Sequence, residues 1–326
     1  MPSQITVVVP HWNRAQLLER LLESIAAQTL APDRVLIADN NSTDLSDQVA
    51  ARFGAEFLAS TCNQGFARAV NRGIDAASTR WVAILNNDVE LDPSCLQLLR
   101  DQAEAAQAWF AAPRLLQAGS TGRLDGCFDL LSRSGCAWRA GHGAPDGPPF
   151  DQPRTIAFAP LTAALFRRDL FQRTGPLDER FESYLEDVDL GLRCALAGLP
   201  GIYVPAASAR HTGSATLGPW SPQMVELIAR NQVILAAKHL PRAYYWQIVA
   251  GQLLWGALAF RRGAGVAWWR GKRAGMRLFR SVRDASTPSP QTALDPILRE
   301  SESEIRRLQQ ATTRDGYWRA YFLVAL

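Results

Sequence analysis

The side chains of this chain that could do chemistry lie in four short segments. They stand in a fixed order along its first two-thirds: Ala38-Asp39-Asn40-Asn41-Ser42-Thr43-Asp44, Leu85-Asn86-Asn87-Asp88, Tyr184-Leu185-Glu186-Asp187-Val188-Asp189 and His211-Thr212-Gly213-Ser214. The first two each follow a short apolar run, which places polar groups at the carboxyl ends of strands, where open α/β sheets bind ligands. A nucleotide site, a metal site and a general base could be assembled from these pieces.

The segment Asn86-Asn87-Asp88 is a candidate site for a divalent cation. It offers one carboxylate and two amides, the hard oxygen ligands that suit Mg²⁺ or Mn²⁺. One carboxylate makes a weak site unless a substrate diphosphate completes it. His211 could add an imidazole ligand, although a lone histidine is more often a hydrogen-bonded structural residue.

Two positions are candidates for nucleotide binding. Asp39 ends a strand, and its carboxylate could accept a hydrogen bond from a nucleobase imide or form an Asx-type turn that caps the next helix. Residues 63–73 open a helix with a glycine and a basic residue, and that N-terminus could attract phosphate or be an ordinary cap. The sequence has no G-x-G-x-x-G and no P-loop, which counts against dinucleotide oxidoreductases and P-loop kinases.

Glu186, Asp187 and Asp189 crowd the start of a helix predicted over about 185–197. Acids near a helix N-terminus are favoured by the helix dipole, and Ser183-x-x-Glu186 matches a capping box. Three acids without an adjacent base exceed what capping requires, so the cluster is also a candidate for chemistry.

Alternating strands and helices must position these segments. The apolar patterns predict strands at 5–9, 34–39, 56–59 and 81–85, with helices at 14–28, 46–53 and 66–77, and we expect Pro10 to end the first strand. This rhythm favours parallel strands with crossover helices in a layered α/β sheet. From 119 to 154 the composition shifts to Gly, Pro, Ser and Arg, which is typical of a functional or a disordered loop. A strand at 162–167 follows it.

The last third of the chain has a different character. After a helix predicted at 224–239, an apolar run at 248–260 is too short to span a bilayer and has tryptophans in and around it: Trp246, Trp255, Trp268 and Trp269. Between Arg261 and Arg283 there are eight basic residues and no acid, which indicates an anionic partner, either lipid headgroups or nucleic acid. The tryptophans favour a membrane interface. The alternative is a buried helix with solvated basic neighbours. A linker at 286–292 and a charged helix at 298–310 close the chain.

Composition bounds the class of protein. The 326 residues are enough for one large domain with an appendage, and 47% of them are hydrophobic, which is enough for a core. The net charge is +4. The five cysteines are odd in number and form no CxxC pair, so we expect reduced thiols and neither a disulfide framework nor a zinc site. The start of the chain lacks a basic n-region, which predicts no signal peptide. We therefore expect a cytoplasmic protein.

The ordered motifs resemble the inverting glycosyltransferases of family 2, which have the GT-A fold, and are closest to the bacterial rhamnosyltransferase-like branch. The likeness covers roughly residues 5–216. Its motifs are Pro10-x-x-Asn13, Asp39-Asn-x-Ser-Thr-Asp44, Asn63-x-Gly-Phe-Ala67, Asn86-Asn87-Asp88 at the family's D-x-D position, the segments at 165–168 and 178–181, Glu186-Asp187-Val188-Asp189, and His211.

The resemblance implies a fold and a set of residue roles. The fold is α/β, a Rossmann-like mixed sheet flanked by helices, in a GT-A domain at 1–216. The composition of the last third adds a helical membrane-interface region at 217–283 and a linker with a helical tail at 284–326. Asp39 contacts the pyrimidine base of the donor, and Asp88 binds Mg²⁺ or Mn²⁺ with help from His211. Asp187 is the general base, and Glu186 lies on the acceptor side. The other nucleotide-sugar-binding positions are Pro10, Asn13, Asn41, Asn63, Arg68 and Asn87.

The predicted function is sugar transfer by single displacement with inversion at the anomeric carbon. We expect dTDP-rhamnose as the donor, with UDP-sugars as the alternative, and a saccharide or lipid-linked acceptor in surface polysaccharide synthesis. The protein is expected to bind the anionic inner face of the plasma membrane peripherally and not to bind nucleic acid. Two other classes are less favoured: a sugar nucleotidyltransferase, whose Gly-rich loop is absent after the first strand, and a non-catalytic saccharide-binding protein, which has no need of the acids.

Overall fold

A computed structural model describes residues 3–120, 122–213, 220–286, 289–312 and 315–325. The strands are β1 (Ile5–His11), β2 (Arg34–Asp39), β3 (Glu56–Leu58), β4 (Trp81–Leu85), β5 (Val89–Leu91), β6 (Phe110–Gln117), β7 (Leu124–Gly126), β8 (Asp129–Leu131), β9 (Ala137–Arg139), β10 (Arg154–Ile156), β11 (Ala163–Arg167) and β12 (Gly201–His211). The helices are α1 (Ala15–Ala26), α2 (Ser46–Arg52), α3 (Phe66–Ala76), α4 (Cys95–Ala105), α5 (Arg168–Thr174), α6 (Glu186–Leu196), α7 (Pro222–His239), α8 (Tyr245–Arg261), α9 (Gly265–Asp284), α10 (Gln291–Ala311) and α11 (Gly316–Val324).

The chain divides into two compact units. The first unit comprises Met1–Phe128, Gly141–Glu182 and Leu190–Gly213, and the second comprises Asp129–Ala140, Ser183–Asp189 and Ser214–Leu326. The first residues of α6, which carry the acidic cluster, are therefore grouped with the C-terminal helices. The predicted boundary between 216 and 217 falls outside the described residues.

A mixed sheet organises the first unit. Its strands follow the order β10-β12-β6-β11-β4-β1-β2-β3, and β1 to β4 are mutually parallel where they pair. Strand β11 runs antiparallel to β4 and joins this parallel half to β6 and β12. Because β1, β2 and β4 are parallel, their carboxyl ends lie at one edge of the sheet, the edge where such sheets bind ligands. The α/β mixed sheet predicted from the sequence is confirmed.

Strand β1 continues through Pro10 to His11, so the prediction that Pro10 ends the strand is wrong. The carbonyls of Ile5 and His11 accept hydrogen bonds from the β2 side. Because successive residues of a strand face alternate neighbours, Pro10 faces the β4 side, where pairing ends at Val8. The missing N–H of proline is therefore not needed there.

The stretch from 119 to 154 is built into the protein. It contributes β7 to the large sheet and forms a separate two-stranded hairpin, β8–β9. Residues 124–136 are all buried. The glycines and serines of this stretch supply tight turns, which the sequence pattern did not distinguish from a disordered loop.

Helices form most of the second unit. Helices α7 and α9 pack closely because α9 carries glycines at the contact: a Cβ at Gly271 would stand 2.2 Å from the Glu226 carbonyl oxygen, and one at Gly275 would stand 2.7 Å from that of Arg230. Helix α10 begins at Gln291, well before the predicted residue 298, and continues through Pro296. Pro296 is the sixth residue of α10, beyond the first turn, so it removes one intrahelical hydrogen bond, that to the Thr292 carbonyl.

Helices α8 and α9 expose large apolar side chains. The exposed fractions are 58% for Trp246, 59% for Phe260, 55% for Trp269 and 61% for Met276. Trp255 and Trp268 instead pack, partly buried, against a core cluster that includes Ala259 and Ala267. Across the described ranges, no helix combines the length and the apolar character needed to cross a bilayer.

Candidate active site

Asp39 ends β2 and shapes the turn that follows it. Its carboxylate accepts hydrogen bonds from the Ser42 N–H at 3.0 Å and from the Ser42 hydroxyl at 2.5 Å, which is an Asx-type turn. A cleft of about 320 Å³ opens beside this turn and is lined by Asp39, Asn41 and Phe57 among others. The two interpretations of Asp39 are thus compatible, because the residue forms the turn and also borders a cleft.

Asn13 ties the end of β1 to the same turn. Its N–H donates to Ser42 Oγ at 2.7 Å, and its Oδ1 accepts from the Thr43 N–H at 2.9 Å. Asn13 and Asn41 have left-handed φ values of 55° and 66°, which asparagine adopts more readily than most residues. Asn13 therefore fixes the turn, whereas Asn41 is exposed and borders the cleft.

His11, at the end of β1, orients Asn87 through a chain of hydrogen bonds that the sequence did not indicate. Asn87 Nδ2 lies 2.9 Å from His11 Nδ1, and His11 Nε2 lies 2.7 Å from Ser46 Oγ. The Ser46 hydroxyl in turn donates to Asp44. Burial lowers the pKa of His11 to about 4, so the ring is neutral. Its one proton belongs on Nε2, because Nδ1 accepts from the Asn87 amide.

Asp88 and His211 lie side by side, and Asp125 contacts the other ring nitrogen of the imidazole. The antiparallel pairing of β5 with β12 sets His211 opposite Val89, next to Asp88. His211 Nε2 lies 3.3 Å from Asp88 Oδ1, and His211 Nδ1 lies 2.8 Å from Asp125 Oδ2. Burial disfavours the charged ring, but the hydrogen bonds to Asp125 and Asp88 outweigh it and raise the pKa of His211 to about 9.

This donor set fits a divalent cation. Two cis ligands of an octahedral Mg²⁺ lie about 3 Å apart, close to the 3.3 Å between His211 Nε2 and Asp88 Oδ1. A carboxylate on the other ring nitrogen, here Asp125, is the usual partner of a metal-binding histidine. The Oδ1 of Asn86 is buried and has no hydrogen-bond partner among the described residues. In the described ranges no cluster of three or more His, Cys, Asp or Glu forms a metal cage, so a cation here depends on further oxygen ligands.

Asn63 and Arg68 flank the start of α3. Asn63 Oδ1 accepts the Gly65 N–H at 3.0 Å. Gly65 has a φ of 87°, and a Cβ there would stand 3.3 Å from the Glu182 Cα, so glycine suits the position. Arg68 Nε donates to Glu179 at 2.6 Å. The guanidinium predicted to meet a phosphate is therefore paired with a carboxylate at a half-exposed site.

Asp187 lies in the second unit and is held by two donors. Its Oδ1 accepts the Val188 N–H at 2.8 Å, and its Oδ2 lies 3.4 Å from Arg139 Nη2. Arg139 also forms a bidentate pair with Asp129, at 3.0 and 3.1 Å. Burial and the charge of Asp129 raise the pKa of Asp187 to about 6, against the opposing effect of Arg139. A carboxylate with this pKa accepts a proton more readily than an ordinary aspartate, as a general base must.

The other two acids of the cluster have different surroundings. Glu186 is 5% exposed, and burial together with the charge of Asp187 raises its pKa well above the usual range. Asp189 is fully buried and binds Lys238 Nζ at 2.8 Å and His239 Nε2 at 2.7 Å. Asp189 therefore has a structural role. Asp187, whose side chain is 14% exposed, is the acid of this helix that meets solvent most directly and has a donor pair to orient it.

The sequence patterns did not single out His11, Asp125, Asp129 or Arg139 as candidate site residues. Asp125 and Asp129 lie in the apolar stretch Leu124-Asp125-Gly126-Cys127-Phe128-Asp129-Leu130-Leu131. Acids within a run of buried residues need partners, and that pattern is a signal that could have marked both.

Comparison with known proteins identifies the family. The family model described as glycosyl transferase family 2 matches residues 6–175. The chain is 31% identical over 299 residues to the N-acetylglucosaminyl-diphospho-decaprenol L-rhamnosyltransferase of Mycobacterium tuberculosis, an alignment that covers 80% of this chain and 92% of that protein.

Solved structures share the fold. The chain superimposes on GalNAc-T7, solved with UDP, GalNAc and Mn²⁺, with a TM-score of 0.63 at 15% identity, covering 92% of this chain and 58% of that one. A mannosyltransferase from Pyrobaculum calidifontis, solved with GDP-Man and Mn²⁺, gives a TM-score of 0.52 at 17% identity over 98% of this chain and 86% of that one. From its family match, its rhamnosyltransferase relative and its fold, the chain belongs to glycosyltransferase family 2 and is an inverting glycosyltransferase.

Proposed function

We propose that this glycosyltransferase moves a rhamnosyl group from dTDP-rhamnose to a lipid-linked saccharide, with Asp187 as the general base. The observation that carries the assignment of the base is the setting of Asp187, a 14% exposed carboxylate oriented by Arg139 and the Val188 N–H. Asp187 removes the proton of the acceptor hydroxyl while that oxygen attacks the anomeric carbon. The bond from this carbon to the diphosphate breaks on the opposite face, so the configuration inverts.

The donor is proposed to bind in the first unit. The cleft beside Asp39 and Asn41 is lined by polar groups suited to a pyrimidine nucleoside. Asn13 stabilises one wall of this cleft through its hydrogen bond to Ser42. Asn87 supports it through its hydrogen bond to His11. Pro10 and Asn63 then act through the backbone they shape, and Arg68 reaches a phosphate only by exchanging Glu179 for it.

Asp88 and His211 are proposed to hold Mg²⁺ or Mn²⁺, with Asp125 orienting the imidazole. A divalent cation bound there supplies Lewis-acid stabilisation of the leaving nucleoside diphosphate. Because the protein offers few ligands, we expect the nucleoside diphosphate to strengthen the binding of the cation.

The acceptor is proposed to be lipid-linked and presented at a membrane surface. The name of the Mycobacterium tuberculosis relative includes such an acceptor, a decaprenyl diphosphate that carries a sugar. Helices α8 and α9 fit an anionic membrane face, because they expose Trp246, Phe260 and Trp269 beside arginines. The exposed arginines of this surface are Arg261, Arg262, Arg270, Arg273, Arg277 and Arg280. We therefore place the protein on the inner face of the plasma membrane and assign region 217–283 to the contact.

A donor panel tests the proposal. Purified protein with Mn²⁺ is offered dTDP-rhamnose and UDP-linked galactose, galactofuranose and glucose, together with a polyprenyl-diphosphate N-acetylglucosamine acceptor. We expect release of dTDP and formation of a product whose anomeric configuration, read by NMR, is opposite to that of the donor. Transfer from a UDP-sugar alone would replace the rhamnosyl assignment, and retention of configuration would overturn the single displacement.

A further inference from the structure

We propose that Asp129 and Arg139 of the β8–β9 hairpin are positioning residues, which set the orientation and the charge environment of Asp187. The inference rests on the proposed role of Asp187 as the base. It gives a function in the reaction to a hairpin that lies about fifty residues before the acidic helix and outside every motif described above.

The geometry links the three side chains through one guanidinium. Asp129 and Arg139 are paired directly across the hairpin, and the Asp129 carboxylate receives both Nε and Nη2 of Arg139 at 3.0 and 3.1 Å. Nη2 also reaches Asp187 Oδ2 at 3.4 Å. Because a bidentate pair fixes the plane of the guanidinium, Asp129 determines where Arg139 holds the Asp187 oxygen. The other oxygen of Asp187 accepts the Val188 N–H, so the whole carboxylate is oriented.

The same arrangement leaves Asp187 with less neutralising charge than an ordinary ion pair provides. The titratable and charged groups that act on Asp187 are Glu186 on its own helix and Asp129 and Arg139 on the hairpin. One cation is thus shared by Asp129 and Asp187. Asp129 raises the pKa of Asp187 and Arg139 lowers it, so the two hairpin residues act in opposite directions on the proton affinity of the base.

The far end of the hairpin is anchored by the C-terminal helices. At its turn the Arg133 N–H donates to Glu302 Oε1 at 2.9 Å, and the Arg133 guanidinium pairs with Glu302 Oε2 at 2.8 Å. The Leu131 N–H donates to Ser301 Oγ at 2.8 Å, and the Tyr321 hydroxyl donates to Glu302 at 2.6 Å. A hairpin fixed at its turn by buried polar contacts presents Asp129 and Arg139 in a defined place, as the support of a catalytic group requires.

The pH profile of kcat/KM tests this role. In the unchanged protein we expect activity to fall as pH drops below about 6, because Asp187 becomes protonated. Arg139→Gln removes the cation, so this acidic limb should move up by about one pH unit and kcat should fall about 10-fold or more, with the donor KM unchanged. Asp129→Asn removes the like charge, so the limb should move down by about one pH unit. A merely structural role moves neither limb in a charge-dependent direction.

Three further variants keep the outcomes distinct. Arg34→Gln is the matched control, because Arg34 forms a bidentate pair with Glu56 and is 30% exposed, against 27% for Arg139; its limb should not move. Arg139→Lys keeps the charge and loses the fork, so kcat should fall while the limb stays near pH 6; it serves if Arg139→Gln does not fold. If Asp187→Asn is inactive but neither hairpin substitution moves the limb, the positioning role of the hairpin is overturned and Asp187 remains the base. If Asp187→Asn turns over normally, the assignment of Asp187 as the base is overturned, and the positioning role with it.

Discussion

Replacing Asp187 by asparagine is expected to slow turnover strongly and, at the same time, to stabilise the protein. The asparagine keeps the shape of the side chain and cannot accept the proton, so kcat should fall by roughly 10²–10⁴. The stabilisation follows from the pKa of Asp187, which rises from 3.8 to about 6 on folding. A difference of about two in pKa corresponds to about 3 kcal/mol of unfolding free energy.

The sign of this effect fixes its pH dependence. Between about pH 4 and pH 6 the folded protein retains a proton on Asp187 that the unfolded chain has released. Across this window only the unfolded chain gains free energy by ionising, so the free energy of unfolding falls as pH rises. The full cost of the ionised, buried carboxylate is present above about pH 6. The asparagine variant has no such cost. We expect it to match the unchanged protein near pH 4 and to be more stable by about 2–3 kcal/mol at pH 8.

Denaturant unfolding of both proteins at pH 4 and pH 8, with steady-state turnover at pH 8, measures both effects. Asp189→Asn is the control from the same helix: Asp189 is fully buried against Lys238 and His239, so its loss should destabilise the fold by about 3–5 kcal/mol. A folded Asp187→Asn variant with near-normal turnover would refute the reasoning and make Glu186 the next candidate. So would a variant that is less stable than the parent at pH 8, because Asp187 would then be a structural acid.

Three other measurements follow from the structure. Calorimetry should detect weak Mn²⁺ binding in the free protein and tighter binding with dTDP, both lost in Asp88→Ala; micromolar affinity that survives Asp88→Ala would remove the metal site from Asp88. Flotation with anionic vesicles should recover the protein at low salt, because each basic residue near the membrane surface contributes about 1 kcal/mol of binding free energy. High salt should release it, because salt screens this attraction. Absence from the lipid fraction at low salt contradicts the membrane face. Glu302→Gln leaves Arg133 buried without its counter-charge and should cost about 3–5 kcal/mol of unfolding free energy, whereas Glu304→Gln, in an exposed pair on the same helix, should cost less than about 1 kcal/mol; equal unfolding midpoints for the two variants contradict the anchoring of the hairpin.

The basic segment shows how an accurate count still leaves the tertiary role undecided. Eight basic residues lie between Arg261 and Arg283, but two of them turn inward. Lys272 Nζ donates to Gln232 and Gln252 at 2.8 and 2.6 Å, and burial lowers its pKa to about 7. Arg283 donates to the carbonyls of Ala237 and Leu240 at the end of α7. Which basic residues face solvent depends on the packing of α9 against α7, and charge composition does not contain that information.

The sequence alone determined the parts of this protein that depend on neighbours along the chain. Apolar runs of strand length predicted β2 and β4 at their observed bounds, Arg34–Asp39 and Trp81–Leu85. A parallel strand is buried on both faces, so its consecutive residues are apolar and the run is visible in the sequence. The same logic placed Asp39 and Asp88 at strand ends. The order and spacing of the motifs were sufficient to identify the family, since its short sequence motifs occur in one order along the chain.

Only the tertiary structure decided what each of those acids meets. His211 finds Asp125 from 86 residues away, and Asp187 finds Arg139 from 48 residues away. Both partners come from the Gly-rich stretch whose sequence carries no regular period, so no pattern of 2 or 3.6 residues could place them. The pKa of Asp187 is set by burial and by the charges of Asp129 and Arg139 on the β8–β9 hairpin. Electrostatic energies depend on distance and on the surrounding medium, which exist only once the chain is folded.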